Sequence, residues 1–503
     1  MSKLFVQFNQ VSFGYDRATE VLFHEISFHL AAGWTAIVGA NGVGKTSLLK
    51  LAMGILEPRQ GQVTFSEHGI YCQQRTDHAP DRFHELIHAI DADAFRIKAK
   101  LGIEDHWLGR WHTLSHGERK RAQIAVALWQ RPSVLAVDEP TNHLDSDAQD
   151  VLFAALSSYR GVGMLVSHDR RLLDELCHHC IFIEPTVVTL RPGNYSQGYH
   201  QAHMEVLTAK KQREQAKRDY SRIKRASSKR RDAASQANRR RSKGGLATKN
   251  HDAREKINAA RVTGKDGSAG SQLNQLKGRL WHAQKKLDAL RVKKDYKLGI
   301  WMPGAKSHRN VMFNLPAGSL SLGGDTYLHF PNLSMRPEDR IGITGANGSG
   351  KSTLIQHILA SLHIRESQLT YVPQEIGLAA SQAVLKQAKE IATEKLGKMM
   401  TVVSCLGSRP QRLLESPTPS PGEVRKILLA TGIANVPHLI IMDEPTNHLD
   451  LPSIECLEQA LSGCPCGLIL VSHDRRFMNA LVQTRWHISG INKQSNDYIL
   501  EPQ

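Results

Sequence analysis

The sequence Gly39-Ala40-Asn41-Gly42-Val43-Gly44-Lys45-Thr46 decides the fold of this chain, because it returns as Gly345-Ala346-Asn347-Gly348-Ser349-Gly350-Lys351-Ser352. Each copy follows a short apolar run and precedes helix-like sequence, which is the context of a phosphate-binding loop. The backbone N–H groups of such a loop and the following helix N-terminus surround the phosphates of a nucleotide. We therefore expect two α/β domains that each bind ATP.

Two further motifs recur behind each loop. The run Asp138-Glu139-Pro140-Thr141-Asn142-His143-Leu144-Asp145 returns with the same letters at 443–450, and Ser167-His168-Asp169 returns at 472–474. The offset is 305 for both motifs and 306 for the loop lysines. A nearly constant offset over three separated motifs indicates an internal duplication.

The motif residues divide by the chemistry that ATP hydrolysis needs: phosphate binding, Mg²⁺ binding and activation of water. The candidates are Lys45, Lys351, Ser47 and Thr353 beside the other loop residues for the phosphates; Thr46, Ser352, Asp138, Asp443, Gln74 and Gln374 for Mg²⁺; Glu139 and Glu444 for the water; and His168 and His473 for the γ-phosphate or the water. Two adjacent carboxylates are expected in each domain because metal binding and water activation are separate tasks.

The net charge of +17 is concentrated in one segment. Residues 201–300 hold 28 Lys plus Arg and 9 Asp plus Glu, a net charge of +19, whereas the remaining residues hold 37 and 39, a net charge of −2. A localised basic segment of this size indicates a polyanionic partner, with nucleic acid favoured over a merely solvated helix surface.

The basic segment itself predicts two helices. One extends from Tyr199 to about Asp232, where no Gly or Pro occurs, and the other carries a heptad series. That series is Leu273, Leu276, Leu280, Ala283, Leu287 and Leu290. We expect an antiparallel helical hairpin with a flexible tip that includes the glycine-rich runs 239–245 and 264–270. The basic residues predicted to bind RNA there, called the tip quartet below, are Arg239, Arg240, Arg241 and Lys243.

A family resemblance follows from Leu114-Ser115-His116-Gly117-Glu118 and Pro419-Ser420-Pro421-Gly422-Glu423, which each end twenty residues before Asp138 or Asp443. The chain here resembles ATP-binding-cassette (ABC) ATPases, whose signature is Leu-Ser-Gly-Gly-Glu. The resemblance implies that two domains pair head to tail within one monomer. Ser420, Gly422 and Glu423 would then face the ATP on Lys45, and Ser115, Gly117 and Glu118 the ATP on Lys351.

Three further features narrow the resemblance to one class of ABC proteins. The sequence has no apolar run long enough to span a membrane, and both repeats carry the Asn-His-Leu-Asp motif. The run Arg191-Pro192-Gly193-Asn194-Tyr195-Ser196 also stands just before a basic helical linker. Together they are similar to the F class of ABC proteins, translation factors and ribosome-protection proteins of the cytoplasm. The resemblance implies that the linker enters the ribosomal exit site and touches rRNA and the peptidyl-site tRNA. ATP would close the domains, and hydrolysis would release the factor. The expected domains are residues 1–198, 199–300 and 301–503.

Both signatures depart from the family pattern. His116 replaces a glycine in the first signature, and Pro419 and Pro421 replace leucine and the same glycine in the second. Tyr15 is placed to stack on adenine, whereas the corresponding stretch 320–324 contains no aromatic residue. We therefore expect two unequal ATP sites.

Other classes explain less of the sequence. A transporter ATPase subunit, the main alternative, would need a separate transmembrane partner and leaves the basic linker unexplained. A chromosome-organising ATPase would carry a long coiled coil between Lys45 and Leu114, which are 69 residues apart. An iron–sulfur recycling factor would carry an N-terminal cysteine cluster, but the first cysteine is Cys72. Antibiotic resistance and relief of stalled ribosomes both remain open as roles.

Overall fold

The structure is a computed structural model. It describes residues 4–16, 21–66, 68–142, 144–184, 187–240, 265–290, 304–374, 376–390, 393–408, 421–447, 449–492 and 495–503. The chain forms two compact units, one made of Met1–Gly198 with Tyr296–Gln503 and the other of Tyr199–Asp295. The first unit contains both nucleotide-binding repeats, and the second contains the basic segment.

The first repeat is built on a mainly parallel sheet. Its strands are β1 (Phe5–Phe13), β2 (Phe23–Ala31), β3 (Gly33–Gly39), β4 (Gln60–Phe65), β5 (Gly69–Cys72), β6 (Val134–Asp138), β7 (Val162–Val166), β8 (His179–Glu184) and β9 (Val187–Pro192). The main sheet has the order β5-β6-β7-β3-β8-β9, with only β9 antiparallel to its neighbour. A separate antiparallel sheet has the order β2-β1-β4.

The sheet is covered on both faces, which explains its near-continuous apolar strands. Alternate residues of a strand point to opposite faces. On β6, Leu135 and Val137 belong to one hydrophobic core, whereas Val134 and Ala136 belong to the other. Because β3, β6 and β7 are parallel, Gly39, Asp138 and Val166 end at the same edge of the sheet, where ligands bind in open α/β folds.

Four of the six helices of the first repeat begin at a side chain that caps them. The six helices are α1 (Lys45–Ala52), α2 (Phe83–His88), α3 (Ala92–Leu101), α4 (His116–Trp129), α5 (Ser146–Leu156) and α6 (Arg170–Leu176), with a 3₁₀ segment at Asp105–Thr113. Asp145 accepts from Ala148 N on α5, and Asp169 accepts from Leu172 N on α6. Such caps satisfy backbone donors that a helix leaves unpaired at its start.

The second unit contains helices α7 (Tyr195–Arg240, which begins in the first unit) and α8 (Lys265–Ala289). Helix α7 is longer than the predicted span at both ends. The prediction that 264–270 belongs to a flexible tip was wrong for residues 265–270, which form the first turns of α8. Gly267 and Gly270 each cost about 1 kcal/mol relative to Ala in a helix interior, but propagation from the following leucine series offsets that cost.

The predicted heptad series is half-buried from Leu276 onward, along α8 and at the residue that follows it. Leu276, Leu280, Ala283, Leu287 and Leu290 are half-buried, whereas the lysines between them are exposed. Antiparallel pairing with α7 stays a prediction. Of the tip quartet, Arg241 and Lys243 lie outside the described residues, and Arg239 and Arg240 are the last two residues of α7. No helix in the described part of the chain is long and apolar enough to cross a bilayer.

The second repeat has the same plan with a more continuous sheet. Its strands are β10 (Phe313–Leu315), β11 (Gly318–Gly323), β12 (Thr326–Phe330), β13 (Leu333–Met335), β14 (Arg340–Gly345), β15 (Leu369–Val372), β16 (Leu439–Asp443), β17 (Gly467–Val471), β18 (Thr484–Asn492) and β19 (Ser495–Pro502). Eight of them form one sheet in the order β11-β12-β19-β18-β14-β17-β16-β15, and β10 pairs with β13. The predicted α/β fold with tandem repeats is confirmed.

The helices of the second repeat occur in the same order along the chain as those of the first. They are α9 (Lys351–Ser361), α10 (Leu378–Glu390), α11 (Thr393–Cys405), α12 (Pro421–Ala434), α13 (Leu451–Ser462) and α14 (Arg475–Leu481), with a 3₁₀ turn at Glu366–Gln368. Asp450 caps α13 by accepting from Ser453 N, as Asp145 caps α5. The duplication seen in the sequence therefore extends to the way in which the helices start.

Candidate nucleotide-binding sites

Both phosphate loops have the backbone that a nucleotide requires. Gly44 and Gly350 have φ angles of 108° and 93°, which only glycine adopts without strain. A Cβ atom on either glycine would also lie within 2.7 Å of a leucine side chain, Leu22 or Leu322. These two glycines therefore cannot be replaced without moving the loop.

The loop lysines fold back over their own loops. Lys45 Nζ donates to Gly39 O at 2.9 Å, and Lys351 Nζ donates to Gly345 O at 2.9 Å. Burial lowers the pKa of both lysines, although nearby carboxylates oppose that effect. Each ammonium group is thus held at the loop mouth with its donors satisfied by carbonyl oxygens that a phosphate would replace.

A hydroxyl group and a carboxylate meet beside each loop. Thr46 Oγ1 donates to Asp138 Oδ2 at 2.8 Å, and Ser352 Oγ donates to Asp443 Oδ2 at 2.6 Å. Tyr71 Oη also donates to Asp138 Oδ2, at 3.1 Å. Hydroxyl and carboxylate oxygens are the ligands that Mg²⁺ prefers, so both pairs fit the predicted metal. The hydroxyl and the carboxylate of each pair are 91 or more residues apart in the sequence, and the fold brings them into contact.

Glu139 and Glu444 lie next to those aspartates in a strained backbone conformation. Their φ angles are 45° and 49°, in the left-handed region that non-glycine residues rarely adopt. The N–H of each glutamate donates at 2.8 Å to the last carbonyl of the neighbouring strand, Val166 O or Val471 O. The neighbouring strand therefore holds each glutamate in this conformation at the edge of the sheet.

The environment of these glutamates raises their pKa values. Both side chains are buried, and burial raises the pKa of Glu139 to about 7 and that of Glu444 to about 8. Glu139 Oε1 is 3.1 Å from His168 Nε2, and Glu444 Oε1 is 3.5 Å from His473 Nε2. Burial also lowers the pKa of His473 to about 4, so that imidazole is neutral at physiological pH.

Lys120 and Arg425 were missed by the sequence interpretation. Lys120 Nζ donates to Gln73 O at 2.7 Å and to Asp138 O at 3.2 Å. Arg425 donates to Pro373 O at 3.2 Å and to Glu444 O at 3.4 Å. Each buried cation thus ties the loop of the predicted Mg²⁺-sensing glutamine to the Asp-Glu loop. The sequence did contain a sign of their importance: both are basic residues five positions after the signature serine, and they are separated by the same offset of 305 as the other motifs.

The predicted glutamines lie close to the glutamates. Gln374 lines a cavity of about 430 Å³ together with Lys351, Asp443, Glu444 and His473. Gln74 and Glu139 line a smaller cavity of about 230 Å³ with Lys120 and His116. The structure therefore brings the phosphate-loop lysine, the acidic pair, the histidine and the glutamine of the second repeat together around one space.

The signature residues do not all join that space. Among the described residues that line the larger cavity, seven come from the first repeat, and Ser115 is not one of them: Thr141, Asn142, Leu144, Gln149, His168, Asp169 and Arg171. Ser115 instead forms a capping box with Glu118 at the start of α4: Glu118 N donates to Ser115 Oγ, and Ser115 N donates to Glu118 Oε2. Gly117 lies in the first turn of the same helix.

The second signature is only partly described. Ser420 and Pro419 lie outside the described residues, whereas Gly422 and Glu423 are in the first turn of α12. Pro421 is the first residue of that helix, where a missing N–H costs no intrahelical hydrogen bond. The departure from the family pattern is thus compatible with a helix start, and the proposed contact of Ser420 with ATP stays a prediction.

Tyr15 lies beside the first phosphate loop. Its hydroxyl is 2.9 Å from Ser47 Oγ, its ring packs edge-on against Phe13, and 49% of its surface is exposed. An exposed aromatic face at the start of α1 is available to a base. In the second repeat the strands β11 and β12 are joined directly at Gly324 and Asp325, and Leu322 lines the cavity instead. This difference supports unequal sites.

Each phosphate loop is also contacted by the other repeat. Asn41 N donates to Asp450 Oδ2 at 2.7 Å, and Asn347 N donates to Asp145 Oδ2 at 3.4 Å. These aspartates end the Asn-His-Leu-Asp runs, which the sequence interpretation used only as class markers. The reciprocal contacts place each loop against the opposite repeat.

Comparison with known proteins agrees with this geometry. The family model described as "ABC transporter" matches residues 23–142 and 328–447. The chain is therefore an ABC ATPase with two such domains, and ATP hydrolysis is its activity. A solved complex of archaeal ribosomal stalk protein aP1 with the recycling factor aABCE1 has a TM-score of 0.61 at 15% identity, covering 98% of this chain and 90% of that one. At that identity the likeness shows the fold alone.

Proteins that are similar over most of the chain indicate the class of ABC ATPase. Ribosome protection protein VmlR of Bacillus subtilis (strain 168) is 29% identical over 512 residues, covering 96% of this chain and 87% of that protein. Erythromycin resistance ATP-binding protein MsrA of Staphylococcus epidermidis is 26% identical over 467 residues, covering 90% and 92%. Together with the family model, these relatives confirm the predicted resemblance to the F class of ABC ATPases.

Proposed function

We propose that this chain is a cytoplasmic ribosome-bound ATPase that acts on the peptidyl-transferase region through its linker. The observation that carries this proposal is the net charge of +19 in residues 201–300, between two ATPase domains of net charge −2. An ATPase pair needs no such segment for hydrolysis, whereas rRNA and tRNA present the phosphates that it matches. The names of VmlR and MsrA support protection against antibiotics as its role, with relief of stalled translation as the second candidate.

The acidic pairs are proposed to divide the work of hydrolysis. Glu139 and Glu444 would accept a proton from the attacking water, for which a pKa near neutrality is suited. Thr46 with Asp138, and Ser352 with Asp443, would hold Mg²⁺, which neutralises charge on the β- and γ-phosphate oxygens when bound. Neutral His473 would orient the water or the γ-phosphate by a hydrogen bond, and His168 is assigned the same role.

The remaining assignments concern the closed state. Closure is proposed to bring Ser115, Gly117 and Glu118 to the ATP on Lys351, and Ser420, Gly422 and Glu423 to the ATP on Lys45. The functional molecule is proposed to be a monomer of three parts, residues 1–198, 199–300 and 301–503. The tip quartet would contact rRNA or the peptidyl-site tRNA, and hydrolysis would open the domains and release the factor.

Ribosome pelleting with a double Glu139→Gln, Glu444→Gln variant tests the proposal. The amide is isosteric with the carboxylate but a poor base, so the variant should bind ATP, fail to hydrolyse it and pellet with ribosomes in ATP but not in ADP. It should also arrest translation in a cell-free system. Wild-type protein in ADP is the matched control. Pelleting with membrane vesicles but not with ribosomes would refute the proposal and favour a transporter subunit.

A further inference from the structure

Helix α13 of the second repeat is seated on the first phosphate loop. Asp450 caps this helix and accepts from Asn41 N at 2.7 Å, with its side chain buried. Leu451, the first residue of α13, is 2% exposed and packs into a hydrophobic core otherwise made by the first repeat. The start of α13 therefore follows any movement of the Lys45 loop.

Further along, the same helix contacts the start of the linker helix. Glu455 Oε1 accepts from Tyr195 Oη at 2.8 Å, and Tyr195 is the first residue of α7. Glu458 pairs with Arg170 at 2.7 Å, an arginine whose side chain is 1% exposed and also reaches Asp474 at 3.4 Å. From Asp450 to Glu455 the helix rises only about 7.5 Å. One rigid element thus connects a phosphate loop to the first turn of α7.

The counterpart helix α5 lacks this connection. Asp145 reaches Asn347 N at the longer distance of 3.4 Å. Asp150 stands where Glu455 stands in α13, but it pairs with Arg171 at 2.6 Å and Arg475 at 3.0 Å. Phe153 stands in the place of Glu458. Among the described contacts of these two counterpart helices, only α13 hydrogen-bonds to Tyr195; Ser196, the next residue of α7, is held separately by Asp174 of α6 and Arg476 of α14.

We propose that α13 couples nucleotide occupancy of the Lys45 loop to the linker, with Tyr195 as the positioning residue. Asp450 holds an N–H of that loop, so an anionic phosphate in the loop competes for the donor and repels the carboxylate. The start of α13 then shifts, and Glu455 moves the first turn of α7 with it. Such a device is a coupling between two sites through an element with two positions.

Hydrogen exchange on the full chain without ribosomes tests this coupling, independently of the proposed ribosomal role. The probe is Mg²⁺ with a non-hydrolysable ATP analogue, and the readout is amide exchange in residues 199–213 of α7. In the wild type the analogue should change that exchange by at least about fivefold, the lower end of usual allosteric coupling. In Tyr195→Phe the change should disappear, whereas the response of α13 itself and basal ATPase activity persist.

Matched variants separate coupling from general loosening. Tyr159→Phe removes a tyrosine hydroxyl that donates to Pro132 O at 3.0 Å within the first repeat, and it should leave the nucleotide response of α7 intact. Asp450→Asn should abolish the response, because the neutral amide is not repelled by a phosphate, and Asp145→Asn should preserve it. Both variants should keep their helices, because asparagine still caps a helix. A wild type whose residues 199–213 ignore the nucleotide, or a Tyr195→Phe variant with the full response, would overturn the inference.

Discussion

Replacing Arg170 with Met should destabilise the nucleotide-free protein far more than the same change at Arg171. The two arginines are neighbours at the start of α6, but the Arg170 side chain is 1% exposed and the Arg171 side chain is 39% exposed. Arg170 pairs with Glu458 and Asp474, whereas Arg171 pairs with Asp150 and Glu175. The comparison therefore uses the same substitution at two neighbouring arginines that each pair with two carboxylates, and the main difference between them is burial.

The expected magnitudes differ accordingly. Breaking a buried pair leaves carboxylates without a partner and costs about 3–5 kcal/mol, whereas an exposed pair contributes about 0–1 kcal/mol. Glu458 and Asp474 are 23% and 16% exposed, so partial solvation places the Arg170 loss near the lower end, about 3 kcal/mol. Arg171 has two exposed pairs and so loses at most about 2 kcal/mol. At roughly 2–4 °C per kcal/mol for a domain of about 200 residues, the melting temperatures of the two variants should differ by at least about 2 °C.

Differential scanning calorimetry at low salt and neutral pH measures this difference. A second variant, Arg170→Met with Glu458→Leu, should regain part of the loss, because it removes one of the carboxylates that the single change leaves unpaired. Asp474 is left unchanged in that variant since it caps α14. Equal melting temperatures for Arg170→Met and Arg171→Met would refute the reasoning from burial.

Three further outcomes are expected. ATPase activity at saturating Mg²⁺-ATP should rise from about pH 6 to about pH 8.5 as the buried glutamates lose their protons and become bases, since burial raises the pKa of Glu139 to about 7 and of Glu444 to about 8; a flat profile would contradict their role. Single Glu139→Gln and Glu444→Gln variants should differ in residual turnover, and equal rates would remove the support for unequal sites. Alanine at all four positions of the tip quartet should leave ATP binding and melting temperature unchanged but lower ribosome-stimulated hydrolysis and flatten the salt dependence of ribosome binding; full activity in cells would return the tip to a spacer role.

The places of the acidic and histidine side chains could be predicted from the sequence because these residues stand in short runs. Asp138 follows a buried strand directly, so its place at the sheet edge follows from the strand order of parallel α/β folds. The same reasoning applies to His168 after β7. Lys120 and Arg425 were missed because a basic residue in a helix is ordinarily solvated. Only the fold shows that Lys120 is buried against two backbone carbonyls and Arg425 against three.

Other features depend on tertiary contacts that no local pattern encodes. In the sequence analysis Asp450 served only as part of a motif that identifies the class of ABC protein. The structure shows that it contacts Asn41, which lies 409 residues away in the sequence. The glycines at 267 and 270 indicated a loop by propensity, but helix α8 includes them because the leucine series behind them carries the helix forward. A long-range contact thus decides the place of Asp450, and propagation along the helix decides the conformation of Gly267 and Gly270.

The segregation of charge has a consequence for how the molecule meets its partners. Residues 201–300 carry a net charge of +19 and the rest of the chain −2, so the field of a polyanion attracts the linker before contact and leaves the ATPase domains almost unaffected. Encounters that begin with the linker are accelerated, and encounters that begin with an ATPase domain gain nothing. Association should therefore slow steeply as salt screens that attraction, while the lifetime of the final complex depends on the nucleotide.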